Sequence, residues 1–143
     1  MRARHLALAA FAVSVVGAAC GTADAGNPSA DATDGGDPGV RVVSVDEAAE
    51  LHADDERIVI DVRTPEEFDA GHLARARNVD IQGAGFADTI GALDPDASYL
   101  VYCRSANRSA GARQLMTELG FRDVADVAGG TIAWTEAGLP LDR

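Results

Sequence analysis

Tyr99-Leu100-Val101-Tyr102-Cys103-Arg104-Ser105-Ala106-Asn107-Arg108-Ser109 is the stretch from which the fold of this chain is read. An apolar run ends in a cysteine, six polar or small residues follow, and a helical pattern begins. Ala112, Leu115, Met116 and Leu119 stand at i, i+3, i+4 and i+7, with Gly120 in the place of a C′ residue. The stretch predicts strand, short loop and helix, with the thiol at the carboxyl end of the strand, where an open α/β sheet binds ligands. A helix N-terminus and a loop of consecutive N–H groups both favour an anion. Arg104 and Arg108 add two permanent charges. Such surroundings lower a cysteine pKa from about 8.5 toward roughly 3.5–7.5, so Cys103 reads as a reactive thiolate nucleophile. The competing reading is a small buried hydrophobe, a frequent fate of free cysteine. The two arginines, two serines and an asparagine that follow fit an apolar core poorly.

Outward from this stretch, strands and helices alternate. Val40–Val43 predicts a short strand, and Ser44 with Glu47 has capping-box spacing for a helix toward Leu51. Ile58-Val59-Ile60 is a continuous apolar run, as in a strand covered on both faces, and it ends in Asp61-Val62-Arg63. Thr64-Pro65-Glu66-Glu67 supplies a helix start with threonine as N-cap, proline at N1 and glutamate at N3, and Gly71 stops that helix. Ala76–Ile81 predicts another strand, Phe86–Leu93 a weak helix, and Asp94-Pro95-Asp96 a turn. Val124–Val127 predicts the last strand, followed by Gly129-Gly130 and a short helix carrying Trp134. The alternation places the chain in the α/β class with a largely parallel sheet. There is no internal repeat, no glycine-rich phosphate fingerprint and no His or Cys pairing at metal-ligand spacing, so no cofactor or metal is expected.

The 143 residues contain no lysine, and their formal charge is −11, so nothing resembles a basic nucleic-acid patch. Residues 1–20 read as a leader rather than as fold. Arg2, Arg4 and His5 precede a run of fourteen uncharged, mostly apolar residues from Leu6 to Ala19, too short for an ordinary membrane span. The run ends Val16-Gly17-Ala18-Ala19-Cys20, which resembles a bacterial lipoprotein signal whose cysteine is acylated, although Gly17 departs from the commoner leucine. Ordinary secretion with cleavage after Ala25, or an uncleaved anchor, are the alternatives. Residues 21–40, rich in Gly, Ala, Asp, Ser and Pro, read as a flexible linker, and 41–143 as the folded domain. If Cys20 carries lipid, Cys103 has no disulfide partner in the chain, and an unpaired thiol in an exported protein suggests chemistry. The expected location is the outer side of a bacterial membrane, held by the lipid alone.

Taken together, these segments resemble the rhodanese domain, the sulfurtransferase module. The matching residues are Asp61-Val62-Arg63 with Glu66-Glu67-Phe68, Gly71-His72-Leu73, Ala76 with Asn78, and Tyr102-Cys103-Arg104-Ser105 with Asn107-Arg108-Ser109. Gly120-Phe121, Gly129-Gly130, and Trp134 with Ala137-Gly138-Leu139-Pro140 complete them. The resemblance implies a five-stranded sheet flanked by helices and a cysteine that accepts a sulfane sulfur as a persulfide. That sulfur would pass to cyanide or a thiol, with Arg104, Ser105, Ala106, Asn107, Arg108 and Ser109 forming the substrate loop and the two arginines attracting an anionic donor such as thiosulfate. A monomer is expected. A persulfide carrier or redox-sensing module with little turnover is the second reading.

Two departures stand out. Ala106 occupies a position that is often glycine in the family, and a left-handed alanine there would cost about 1–2 kcal/mol. Ala74-Arg75 replaces a usual Pro-Gly, so a changed turn is expected. The phosphatases and arsenate reductases of the same fold carry Cys-x5-Arg, whereas here Ser109 holds that seventh position and Arg108 comes one residue early, which suits a single sulfur atom. His72 reads as a hydrogen-bonded structural imidazole, Asp61 and Arg63 as a pair holding the strand end near the site, and Trp134 as core.

Overall fold

The computed structural model describes residues 39–143. The leader, Cys20 and nearly all of the linker lie outside the described residues. Strands β1 (Val40–Val43), β2 (Ile58–Asp61), β3 (Arg77–Asn78), β4 (Ser98–Tyr102) and β5 (Asp123–Val127) form one sheet in the order β1-β5-β4-β2-β3, with every pairing parallel. Helices α1 (Val45–His52), α2 (Pro65–Ala70), α3 (Phe86–Gly91), α4 (Asn107–Glu118) and α5 (Gly130–Glu136) connect them.

β4 lies at the centre, and its alternation divides the core. Tyr99, Val101 and Cys103 pack with Ile90, Ala112, Met116 and Phe121 on the α3/α4 face. Leu100 and Tyr102 pack with Ala48 and Trp134 on the α1/α5 face. Burial on both faces explains the apolar runs Ile58–Ile60 in β2 and Tyr99–Tyr102 in β4. The strand order reverses between β2 and β4, so the carboxyl ends of these two strands flank the place where α/β sheets open a crevice. At the opposite edge, Arg57 forks onto Asp123 at 2.8 and 3.2 Å and donates to Tyr99 O at 3.0 Å. This ties the start of β2 across β4 to β5.

Several predicted boundaries move. The strand expected over Ala76–Ile81 shrinks to Arg77–Asn78, because β2 ends at Asp61 and leaves the edge strand only two register partners. Beyond it, Asp80 closes a turn with Gly83 N. The weak helix ends at Gly91 rather than Leu93, which is reached by a last turn closing on Ile90 O. The apolar stripe of α4 is narrower than its spacing suggests. Ser109, Ala112 and Met116 are buried, while Leu119 is 44% exposed. The reason lies at the helix end. Phe121 N bonds Met116 O and Gly120 N bonds Thr117 O, a Schellman closure with Gly120 at φ 82°, and Phe121 then fills the core in place of Leu119.

Candidate active site

The loop after β4 is shorter than expected. Helix α4 begins at Asn107, so Asn107, Arg108 and Ser109 form its first turn and their N–H groups lack helical partners. Those of Arg108 and Ser109 are directed at the Cys103 sulfur. Burial of the thiol pushes its pKa up. The N–H and hydroxyl of Ser109, with the N–H groups of Ser105 and Arg108, more than offset this and hold it below the ordinary value. Cys103 is free and only 1% exposed, so it has the burial of a core residue and the electrostatics of a thiolate site. Ala106, the residue before the helix, sits at φ 69°, the left-handed conformation that glycine would adopt freely. Ser105 and Asn107 are exposed, and Ser105 contributes its backbone N–H to the sulfur.

The two arginines of the loop separate in role. Arg104 is exposed and meets no acidic partner among the described residues. Arg108 forks onto Glu67 with contacts of 2.6 and 2.7 Å. This corrects the expectation that both charges face a donor, since the carboxylate already neutralises Arg108 and turns it into a clamp between α2 and α4. Glu67 is at the same time N3 of α2 and reaches back to Thr64 N in a capping box. Arg108 and this cap hold the Glu67 carboxyl down at about 2. The sequence showed Glu67 only as a cap, because its second partner lies 41 positions away.

Behind the loop, the end of β2 is braced by a buried pair. Arg63 Nε donates to both Asp61 oxygens at 2.9 Å, and its NH2 group reaches Asp61 Oδ2 at 2.6 Å and Gly71 O at 2.7 Å. Asn78 ties down the Asp61 and Arg63 carbonyls. The Tyr102 ring lies under the guanidinium at 5.7 Å, and its hydroxyl accepts from Leu73 N. His72 stacks on Phe68 at 3.8 Å with Nδ1 bonded to Phe68 O, the environment of a structural imidazole. Trp134 is core, with Nε1 on Pro140 O. At the turn through Ala74-Arg75, Arg75 adopts φ 62°, Ala76 N closes on Leu73 O, and the guanidinium bonds Asp55 and the His52 carbonyl.

The glycines before α5 complete the support. Thr131 N bonds Cys103 O at 2.9 Å and Ile132 N bonds Arg104 O at 3.2 Å, an approach that leaves no space for a side chain at Gly130. Beside the loop lies an open cleft of about 250 Å³ bounded by Arg63, Glu67, Arg104, Thr131, Ile132 and Leu141 among others. A roomier groove of about 520 Å³ is lined by α4 alone, without Cys103. Among the described residues no three His, Cys, Asp or Glu side chains converge as a metal requires.

Comparison with known proteins agrees with this architecture. Residues 44–137 match the Rhodanese-like domain. A thiosulfate sulfurtransferase GlpE from Pseudomonas putida is 38% identical over 89 residues, covering 62% of this chain and 79% of that protein. The crystal structure of a rhodanese-related protein from Thermoplasma volcanium is similar with a TM-score of 0.63 at 31% identity, covering 71% of this chain and 97% of that one. The polysulfide-sulfur transferase of Wolinella succinogenes, a homodimer in solution, is similar with a TM-score of 0.59 at 27% identity, covering 71% of this chain and 77% of that one. With its all-parallel five-stranded sheet and a cysteine loop at the carboxyl edge, the chain belongs to the rhodanese-like domain family.

Proposed function

We propose that the domain transfers a sulfane sulfur from thiosulfate or a similar small anionic donor through a Cys103 persulfide. The observation that carries this reading is the cradle of backbone N–H groups and the Ser109 hydroxyl around a depressed thiol, with the unpaired Arg104 beside it. The Cys103 thiolate attacks the outer sulfur of the donor, the sulfur–sulfur bond breaks, and sulfite leaves with the bonding electron pair. Cyanide or a thiolate then attacks the terminal persulfide sulfur, and thiocyanate or a new persulfide departs while Cys103 returns as thiolate. The cradle stabilises the negative sulfur in both resting and loaded states without reorganising. A thiolate attacks unaided and sulfite is a stable leaving group, so no general base is required. Because Cys103 is buried, a slim terminal sulfur reaches it while the anionic end of the donor stays near Arg104.

Incubation with thiosulfate followed by intact-protein mass spectrometry should show one added sulfur, and Cys103→Ser should abolish both that adduct and thiocyanate production. A normal rate in Cys103→Ser refutes the assignment. Arg104→Ala should raise the KM for thiosulfate and reduce its dependence on salt. The second reading, a persulfide carrier fed by polysulfide or a protein donor, draws on the burial of Cys103 and on the polysulfide-sulfur transferase among the structural neighbours. It predicts loading from polysulfide with negligible steady-state turnover of thiosulfate. Tethering of the domain through an acylated Cys20 belongs to the same proposal. The linker would give a reach on the order of 25 Å, and Cys20→Ala should release the protein from membranes.

A further inference from the structure

A cysteine loop that joins free backbone N–H groups to two arginines attracts any small dianion, whether or not that anion has a sulfur to give. One residue of the cleft wall works against this. Glu67 lines the cleft beside the loop together with Arg104, whereas Arg108 is not among the lining residues. The carboxylate that takes both NH groups of Arg108, at 2.6 and 2.7 Å, therefore stands on the cleft side of the pair. It is also fixed from α2, since Oε2 accepts from Thr64 N and Thr64 Oγ1 accepts from Glu67 N. Its pKa is held down at about 2, so it is ionised throughout the neutral range. Arg63, the third charged residue of the lining, is matched by the buried Asp61. An anion entering the cleft thus meets one uncompensated cation, Arg104, rather than two.

We propose that Glu67 is a specificity-determining residue: by neutralising Arg108 at the cleft wall, it keeps the cysteine loop from retaining phosphate, sulfate and similar tetrahedral oxyanions. The guanidinium fork suits a carboxylate and an oxyanion equally well, so the internal carboxylate occupies the groups that such a ligand would use. Each charge on the wall acts twice as strongly on a dianion as on a monoanion. Without Glu67, oxyanions that carry no transferable sulfur would rest beside Cys103, and the sulfite left by a donor would depart slowly. With the pair closed, residence at the site depends on sulfur chemistry at Cys103 more than on charge. The inference rests on Cys103 being the reactive centre of the site, and it holds for any donor that loads it.

The test needs no sulfur donor. Inorganic phosphate is the probe, and the readout is its protection of Cys103 in the full chain against iodoacetamide, a neutral reagent. Rates are taken at fixed ionic strength with potassium chloride as the blank, each variant against its own rate without phosphate. Glu67→Gln removes the charge and keeps a side chain that caps at N3. It should bind phosphate about tenfold more tightly than the unsubstituted chain. Adding Arg108→Gln should bring the affinity back to within about threefold of the starting value, because the two charges cancel. A pair that only held α2 to α4 would give no such reversal, since the second substitution would restore nothing. No gain in Glu67→Gln, or a gain kept in full by the double variant, overturns the proposal. Arg108→Gln alone carries the test if Glu67→Gln does not fold. Its bare carboxylate should weaken protection at the phosphate concentration that half-protects the unsubstituted chain, and unchanged or stronger protection is equally fatal. If the reversal holds while no donor loads Cys103, the sulfurtransferase reading fails and the role of Glu67 stands; loading without the reversal is the opposite case.

Discussion

Gly130→Ala probes the support of the cysteine loop with the least chemical change. A Cβ at Gly130 would lie 2.2 Å from Cys103 O, 2.8 Å from the Arg104 carbonyl carbon and 2.9 Å from Arg104 O. The atoms in the way are backbone, so no rotamer change relieves the clash. Separation to ordinary contact requires a retreat of about 1 Å by either α5 or the loop. That retreat stretches the bonds from Thr131 N to Cys103 O and from Ile132 N to Arg104 O, each contributing about 0.5–1.5 kcal/mol. Alanine at φ +56° adds about 1–2 kcal/mol. The expected destabilisation is about 2–5 kcal/mol, which lowers Tm by on the order of 10 °C or more in a domain of this size. Sulfur transfer should fall by about a hundredfold, since the thiol and its cradle no longer align to within 1 Å. Gly138→Ala is the control: its φ is +76° but nothing lies within 4 Å of its Cβ, so it incurs only the conformational cost. Calorimetry and Cys103 alkylation rates compare the two. If Gly130→Ala matches Gly138→Ala in both, the loop does not depend on this close approach and the reasoning is refuted.

Ala106→Gly should stabilise the domain by about 0.5–1 kcal/mol, because glycine accepts φ 69° without strain and returns only part of the gain as backbone entropy; a lower Tm in the variant contradicts this. The Glu67 carboxyl is depressed to about 2, so its pair with Arg108 adds stability above the ordinary value near 4.3, and that contribution disappears as pH falls toward 2. Glu67→Gln should therefore cost about 1 kcal/mol at neutral pH, after allowance for partial exposure, and nothing near pH 2; urea unfolding that shows a constant gap across this range would count against the pair. Arg63→Ala should cost about 3–5 kcal/mol by leaving the Asp61 charge buried and unpaired, and removing both side chains together should cost less than removing Arg63 alone. Equal losses in the single and double variants would show that burial of the lone carboxylate is not the source.

How much was legible depended on how local each constraint is. The apolar run ending in Cys103 and the Thr64-Pro65-Glu66-Glu67 start are short-range patterns, as is the Gly120 stop. The elements they predict appear with boundaries shifted by a residue or two. The α/β class follows from their alternation, since parallel strands need helical crossovers. Where an element depends on a neighbour, the pattern misled. The strand near Asn78 is cut to two residues because its only partner, β2, ends at Asp61, and Leu119 is left outside because the Schellman turn brings Phe121 into the core instead. At the site, Cys103 and the adjacency of Arg104 were readable, because sequence neighbours on a loop stay neighbours in space. The diversion of Arg108 onto Glu67 was not, nor was the seating of Gly130 against Cys103 O, nor the bond from Arg113 Nε to the buried Asp126 carboxylate. These contacts join residues that only the stacking of β5 and β2 on β4 and the docking of three helices bring within bonding distance. The residue types allow several partners; packing selects one, because a buried charge or a crowded backbone atom cannot remain uncompensated.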